Sequence, residues 1–136
     1  MEADKVDTYR DWSKPGLGYW KEQGPAYGEE PSIEGFIDTE WNPEDKSQIV
    51  KYLLSAEIVA ATSAMAFPCV ICKQKFHGSV CKRTDGRFYW LDALAHYVDK
   101  HHLRLPEGML KYMRQLQFAP PKIADPSSVV AKLRKS

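Results

Sequence analysis

The sequence predicts a small α+β protein, in which a β-hairpin and a helix form the core, two further helices flank it and an irregular aromatic arm precedes it. Three observations predict this class. Thr84-Asp85-Gly86 carries the Asp-Gly signal of a tight hairpin turn. The residues after this turn show helical spacing of apolar side chains through Leu94 and Val98. Apolar stripes of the same period occur before and after this core, whereas residues 1–41 lack a regular pattern.

Two pairs of potential metal ligands enclose the hairpin. Cys69 and Cys72 are separated by two residues, and His96 and His101 are separated by four. The Cys-x-x-Cys segment can bend so that both sulfurs face one point, and both histidines lie on a helix predicted over 91–102. Two thiolates and two imidazoles are the donors of a closed tetrahedral zinc site. We therefore predict Zn²⁺ as cofactor and a zinc-finger-like core, the alternative being reduced core cysteines and solvated histidines.

The fourth ligand has rivals. His101 lies about 140° around a regular helix from His96, so we expect a tightened last turn to bring it to the metal. His102, at about 240°, approaches less well. The ligand set ranked second consists of Cys69, Cys72, Cys81 and His96. The simpler interpretations are a small buried side chain for Cys81 and a solvated hairpin histidine for His77.

Local signals place the other elements. Asn42-Pro43-Glu44-Asp45 predicts the start of a helix, which continues through an apolar stripe. Residues 58–67 fit either a continuation of that helix or a strand leading to the cysteines. The hairpin strands are predicted over 76–82 and 87–90. Pro106 predicts a new helix with an apolar face, and Asp125-Pro126 predicts a last short one.

Residues 1–41 are predicted to form an extended acidic arm. Its glycines and prolines break any regular period, yet it is rich in aromatic residues: Trp12, Tyr19, Trp20, Tyr27, Phe36 and Trp41. Disordered segments are poor in such residues, so we expect the arm to pack either on its own domain or on a partner. The predicted organisation is thus the arm (1–41), a zinc-finger-like domain with flanking helices (42–118) and a basic tail (119–136).

Size and composition favour one intracellular domain. The chain has 136 residues, 43% of them hydrophobic, which suffices for a single modest core. Three cysteines beside a histidine pair indicate a reducing compartment such as the cytoplasm. The sequence shows no apolar run long enough for a membrane span and no secretion signal at its start, so we expect no membrane association.

The net charge of +1 conceals an asymmetry. Residues 1–46 hold 12 acids and 5 bases, and residues 47–136 hold 6 acids and 14 bases. A basic half can attract phosphate. Alternatively, the two halves attract each other within the fold.

One string of motifs suggests a resemblance. It runs through Thr84-Asp85-Gly86, Tyr89-Trp90, Leu94-Ala95-His96-Tyr97-Val98, His101 and Arg104-Leu105-Pro106. With the preceding Cys-x-x-Cys, it resembles a group of small, mostly bacterial proteins of unassigned function, over about residues 42–110. That group has Trp-Pro-Glu-Gly where this chain has Trp90-Leu91-Asp92-Ala93. The resemblance implies a zinc-finger-like fold and no known activity.

Three functional classes follow. The first is a zinc-stabilised module that docks on a protein partner, as a small subunit of a larger assembly, with Trp12 and Trp20 as interface anchors. The second is a nucleic-acid binder that uses its basic hairpin and tail, although Asp92 and Asp99 on the helix would repel phosphate. Its candidate contacts are Lys73, Lys75, Lys82, Arg83, Arg87 and Tyr89. The third, a metal-dependent nuclease or hydrolase, is disfavoured because four ligands close the metal shell and no catalytic motif is evident.

Overall fold

The computed structural model describes residues 16–17, 20–23, 25, 28, 30, 32–62, 69–73 and 80–135. In these residues, four α-helices accompany a four-stranded sheet, which confirms the α+β class. The helices are α1 (Lys46–Ser55), α2 (Ala93–His101), α3 (Glu107–Gln115) and α4 (Pro126–Lys135). The strands are β1 (Gly16–Leu17), β2 (Glu57–Thr62), β3 (Val80–Thr84) and β4 (Tyr89–Leu91). Short 3-10 helices span Lys21–Gln23 and Ile33–Phe36.

The sheet is built around the predicted hairpin. Strands β2, β3 and β4 are antiparallel, and β1 adds to β4 in parallel, so that the order is β1-β4-β3-β2. In the turn between β3 and β4, the Asp85 carboxylate accepts the N–H groups of Arg87 and Phe88 at 3.0 and 2.9 Å. Gly86 has a φ of +95°, which a residue with a side chain adopts only under strain. The Thr-Asp-Gly turn is therefore confirmed.

Helix α1 is attached to the hairpin by buried aromatic residues. The Tyr52 ring stacks on Trp90 with the ring centroids 6.2 Å apart, and the Trp90 indole N–H donates to the Leu53 carbonyl at 2.9 Å. The Tyr52 hydroxyl donates to the Asp85 carboxylate at 2.7 Å. Burial raises the pKa of Asp85, and its hydrogen bonds with Tyr52, Arg87 and Phe88 act in the opposite direction. The hairpin turn is thus fixed to α1 by a polar contact in the core.

The described part of the arm packs on its own domain. Its buried side chains share one core with the helices and the sheet, and they are Leu17, Trp20, Ile33 and Phe36. Leu17 is paired with Trp90 across β1 and β4. Ile37 forms an antiparallel bridge with Leu103, directly after α2. These residues therefore pack on the chain's own domain, which is the first of the two roles predicted for the arm.

Two ion pairs join the acidic part of the chain to the basic part. Arg104 Nη1 lies 2.9 Å from Asp38 Oδ2, and Arg114 Nε lies 2.9 Å from Asp45 Oδ2. The hydrogen bond from Arg114 is the largest cause of a lowered pKa at Asp45. Some of the opposite charges of the two halves are therefore paired with each other within the fold.

Several helix and strand boundaries in the structure differ from the predicted ones. Helix α1 begins at Lys46 and not at the predicted Pro43, because the first helical hydrogen bond runs from the Ile49 N–H to the Asp45 carbonyl, whereas the Lys46 N–H closes a turn on the Pro43 carbonyl. Helix α2 begins at Ala93 and not at Leu91, because Leu91 pairs with Lys82 as the last residue of β4. The ambiguous stretch after α1 is strand over 57–62. The predicted strand residues 76–79 lie outside the described residues.

The predicted helix after Pro106 is α3, and the predicted last helix is α4, so both are confirmed. The C-terminal segment is held on the fold by Val130, which is buried. None of the described helices combines the length and the apolar character that a membrane span requires.

Replacing Tyr52 with Phe tests the polar contact in the core. The change leaves the buried Asp85 carboxylate without one of its donors, so we expect the free energy of unfolding to fall by about 1–3 kcal/mol. Urea denaturation of the two proteins measures this difference. A loss below about 0.5 kcal/mol would show that water replaces the tyrosine hydroxyl.

Candidate metal centre

The cysteine pair lies in a tight turn. The Lys73 N–H donates to the Cys69 carbonyl at 2.9 Å, and Lys73 adopts a φ of +64° to close the turn. The N–H groups of Ile71 and Cys72 both point at the Cys69 sulfur, each at 3.4 Å. The two amides of this turn therefore fix the position of the Cys69 sulfur.

Helix α2 supplies the two imidazoles. Its buried face contains Leu94, Ala95 and Val98, as predicted, so the helix has a fixed rotation against the core. The expected tightening of its last turn is wrong. His101 is still α-helical, and the N–H groups of His102 and Leu103 both donate to the Tyr97 carbonyl. These hydrogen bonds span more residues than the i→i+3 bonds of a tightened 3-10 turn. The imidazole side chains bridge the 140° separation themselves.

The four predicted ligands converge. Cys69 Sγ lies 3.4 Å from His101 Nε2, and Cys72 Sγ lies 3.6 Å from His96 Nε2. All four ligand atoms lie within 4.8 Å of one another. The two imidazole centroids are 5.0 Å apart and their planes are inclined by 67°. This group can hold a metal ion.

Burial differs across the site. Cys69 is buried, His96 and His101 are partly buried, and Cys72 is exposed. Burial is the largest cause of a lowered pKa at both histidines, and the neighbouring His101 lowers the pKa of His96 further. A lowered pKa favours the neutral imidazole, which is the form that binds metal. The cluster thus lies at the edge of the core, with Cys72 facing solvent.

Neither rival ligand within the described residues joins the cluster. His102 takes a left-handed conformation after α2, and its Nδ1 lies 3.4 Å from the Trp41 carbonyl oxygen. Cys81 hydrogen-bonds to Asp92, and burial, followed by the charge of Asp92, raises the pKa of its thiol. The third rival, His77, lies outside the described residues.

The predicted partner-facing cations have different surroundings. Arg83 is mostly buried, with Nε 2.6 Å from Asp92 Oδ1 and Nη1 2.7 Å from the Ala56 carbonyl, so little of it is accessible to a phosphate. Its neighbour Lys82 is partly buried, and alternation along a strand turns the two side chains to opposite faces. The Arg87 guanidinium is exposed and lies over the Tyr112 ring, 4.8 Å from its centroid.

The remaining predicted surface residues also differ in their exposure to solvent. Lys73 is exposed, and its ammonium donates to the Val70 carbonyl at 3.1 Å. Tyr89 is partly buried, and burial raises its pKa. Trp20 is completely buried, so it belongs to the core and is not an interface anchor in this fold. Trp12 and Lys75 lie outside the described residues.

Sequence reasoning assigned no role to Tyr97. The structure places its hydroxyl 3.0 Å from the Val70 N–H, within the cysteine turn. Tyr97 lies on α2 between the two histidines, and 1% of its surface is exposed. Its position on the helix was the available signal, because Tyr97 lies about 100° around the helix from His96 and therefore inside the arc of about 140° between the two histidines.

The fold and the cluster define a class: a small α+β protein with a Cys₂His₂ group that can hold a metal ion. No protein-family model, curated protein or solved structure matches this chain.

Replacing Cys69 with Ser tests the cluster. We expect the variant to lose about a hundredfold in metal affinity, because a hydroxyl is a much poorer zinc ligand than a sulfur. Cys81→Ser is the matched control, and it should retain affinity because Cys81 bonds to Asp92 instead. Competition with a chromophoric chelator measures both. Equal affinity for the two variants would exclude Cys69 as a ligand.

Proposed function

We propose that the cluster is a structural zinc site. One observation supports this above all: two sulfurs and two imidazole nitrogens meet at spacings that suit zinc. Zn–S bonds of ~2.3 Å and Zn–N bonds of ~2.0–2.1 Å place S and N roughly 3.5 Å apart on a tetrahedron. The observed S–N separations are 3.4 and 3.6 Å. Thiolates with imidazoles also favour zinc over hard cations such as Mg²⁺.

The number of ligands supports a structural role. Catalytic zinc keeps one position open for water or substrate, whereas structural zinc is enclosed by four protein ligands. The cluster supplies four protein ligands: Cys69, Cys72, His96 and His101. They belong to two separate parts of the chain, the turn of residues 69–73 and helix α2. Zinc would join these parts by direct bonds, and the protein acts in this proposal without a catalytic step.

We propose further that the protein works by docking on a protein partner. Ile71 supports this, because 42% of its surface is exposed at the tip of the cysteine turn, beside exposed Cys72. A rigid, metal-held turn presents such a side chain in one conformation and lowers the entropic cost of binding. Because Arg83 is paired with Asp92 and Lys82 points to the other face, these two described hairpin cations do not favour the nucleic-acid alternative.

Metal removal tests the zinc proposal. Elemental analysis of the purified protein should find one zinc per chain. Because bound zinc supplies folding free energy, chelation should lower the hydrogen-exchange protection of residues 69–73 and 93–101 by at least tenfold. The amides of α4 serve as the internal control. A metal-free protein that keeps native protection in both segments would contradict a structural role.

Replacing Ile71 with Ser tests the docking proposal. We expect a co-purifying protein to be lost, because a polar side chain cannot fill an apolar pocket. Leu54→Ser is the matched control, since Leu54 is similarly exposed, at 46%, and lies on α1. Purification after nuclease treatment and at moderate salt removes material bound through nucleic acid. Recovery of the same protein with both variants would exclude the cysteine turn as the docking surface.

A further inference from the structure

Tyr97 contacts the cysteine turn directly. Its hydroxyl accepts the Val70 N–H at 3.0 Å and also hydrogen-bonds to Cys69. Val70 follows Cys69, and both lie in the turn whose amides point at the Cys69 sulfur. The side chain between the two histidines of α2 therefore holds the segment that carries the two cysteines. With 1% of Tyr97 exposed, water does not readily replace this contact.

The ring of the same tyrosine contacts the arm. The Trp20 ring meets Tyr97 edge to face, with the centroids 6.3 Å apart and the planes inclined by 86°. Trp20 in turn packs on Phe36, 5.4 Å between centroids. Trp20 and Phe36 are both buried. Edge-to-face aromatic pairs at these distances are attractive beyond the apolar area that they bury.

The backbone makes a second connection between the arm and α2. Directly after the ligand His101, the His102 carbonyl accepts the Asp38 N–H at 2.9 Å. The Arg104 N–H donates to the Phe36 carbonyl at 2.9 Å, and Ile37 bridges to Leu103 between them. The end of α2 is thus held by the arm one residue after a ligand.

From these contacts we infer that Tyr97 is a positioning residue for the metal centre and that it couples metal binding to docking of the arm. Arm docking orients α2 through Trp20 and residues 36–38, and the Tyr97 hydroxyl positions the cysteine turn against α2. Metal binding fixes the same turn and helix, so each event stabilises the other by the same factor. This inference rests on the proposed metal site.

Tyr97→Phe separates the hydroxyl from the ring. We expect zinc affinity to fall about tenfold, because the Val70 amide loses a buried acceptor while the contact with Trp20 remains. Tyr112→Phe is the matched control, since the Tyr112 hydroxyl donates to the Asp85 carbonyl at 3.2 Å, in the hairpin turn. It should change the melting temperature without changing zinc affinity. Competition with a chelator gives the affinities, and the thiolate-to-metal absorption of the Co²⁺ form reports a displaced sulfur in Tyr97→Phe alone.

Trp20→Phe tests the coupling to the arm. We expect zinc to dissociate several-fold faster, since the smaller ring loses part of its contact with Tyr97. Leu110→Ala is the control for general destabilisation, because it removes a buried side chain of α3, outside the arm and outside the contacts between Trp20 and Tyr97. This control should lower the melting temperature at least as much and leave the zinc dissociation rate unchanged. Circular dichroism verifies that each variant is folded.

Hydrogen exchange tests the reverse direction. Zinc should raise the protection of the Asp38 and Arg104 amides about tenfold, and it should leave the Val129 amide of α4 unchanged. Equal zinc affinity and dissociation rates in the wild type, Tyr97→Phe and Trp20→Phe would overturn the coupling and leave the zinc site standing. A wild-type protein that binds neither zinc nor Co²⁺ would overturn the zinc site itself.

Discussion

Four side chains meet at one point, and this convergence depends on the conformation of the cysteine turn and on the rotation of α2. The turn directs its amides at the Cys69 sulfur, and the helix rotation is fixed by a buried apolar face. His96 and His101 then reach toward the cysteines from one side of α2. Without a metal, two thiols and two imidazoles would gain little from such proximity, because a thiol is only a weak hydrogen-bond donor and acceptor.

The arm is part of the structure that supports this cluster. A segment without helical or strand period would ordinarily be a linker, yet its described aromatic side chains enter the core. Trp20 contacts Tyr97, and residues 36–38 bind the chain directly after His101. The cluster is therefore supported by residues that precede Cys69 by more than 30 positions.

Polar contacts determine how the parts fit together. Asp85 is buried in the hairpin turn, where it accepts two backbone amides and the Tyr52 hydroxyl. Arg104 and Arg114 bind acids from the first third of the chain. Pairs of this kind add little to stability at the surface, but they favour one arrangement of the arm and helices over others. The opposite net charges of the two halves are thus partly matched within one molecule.

The α+β class, the Thr-Asp-Gly turn, the two C-terminal helices and the four metal-site candidates followed from the sequence alone. Each is encoded locally: an Asp-Gly turn, a Pro near a helix start and ligand pairs within one turn or one helix depend on neighbours a few residues away. The tertiary structure alone decided that residues 57–62 form a strand, that Trp20 is buried and that Tyr97 joins the cysteine turn to the arm. These outcomes depend on contacts between residues far apart in the chain, such as Trp20 with Tyr97. Local conformational preferences do not depend on residues so far away in the sequence. Only the packing of the whole core determines these three outcomes.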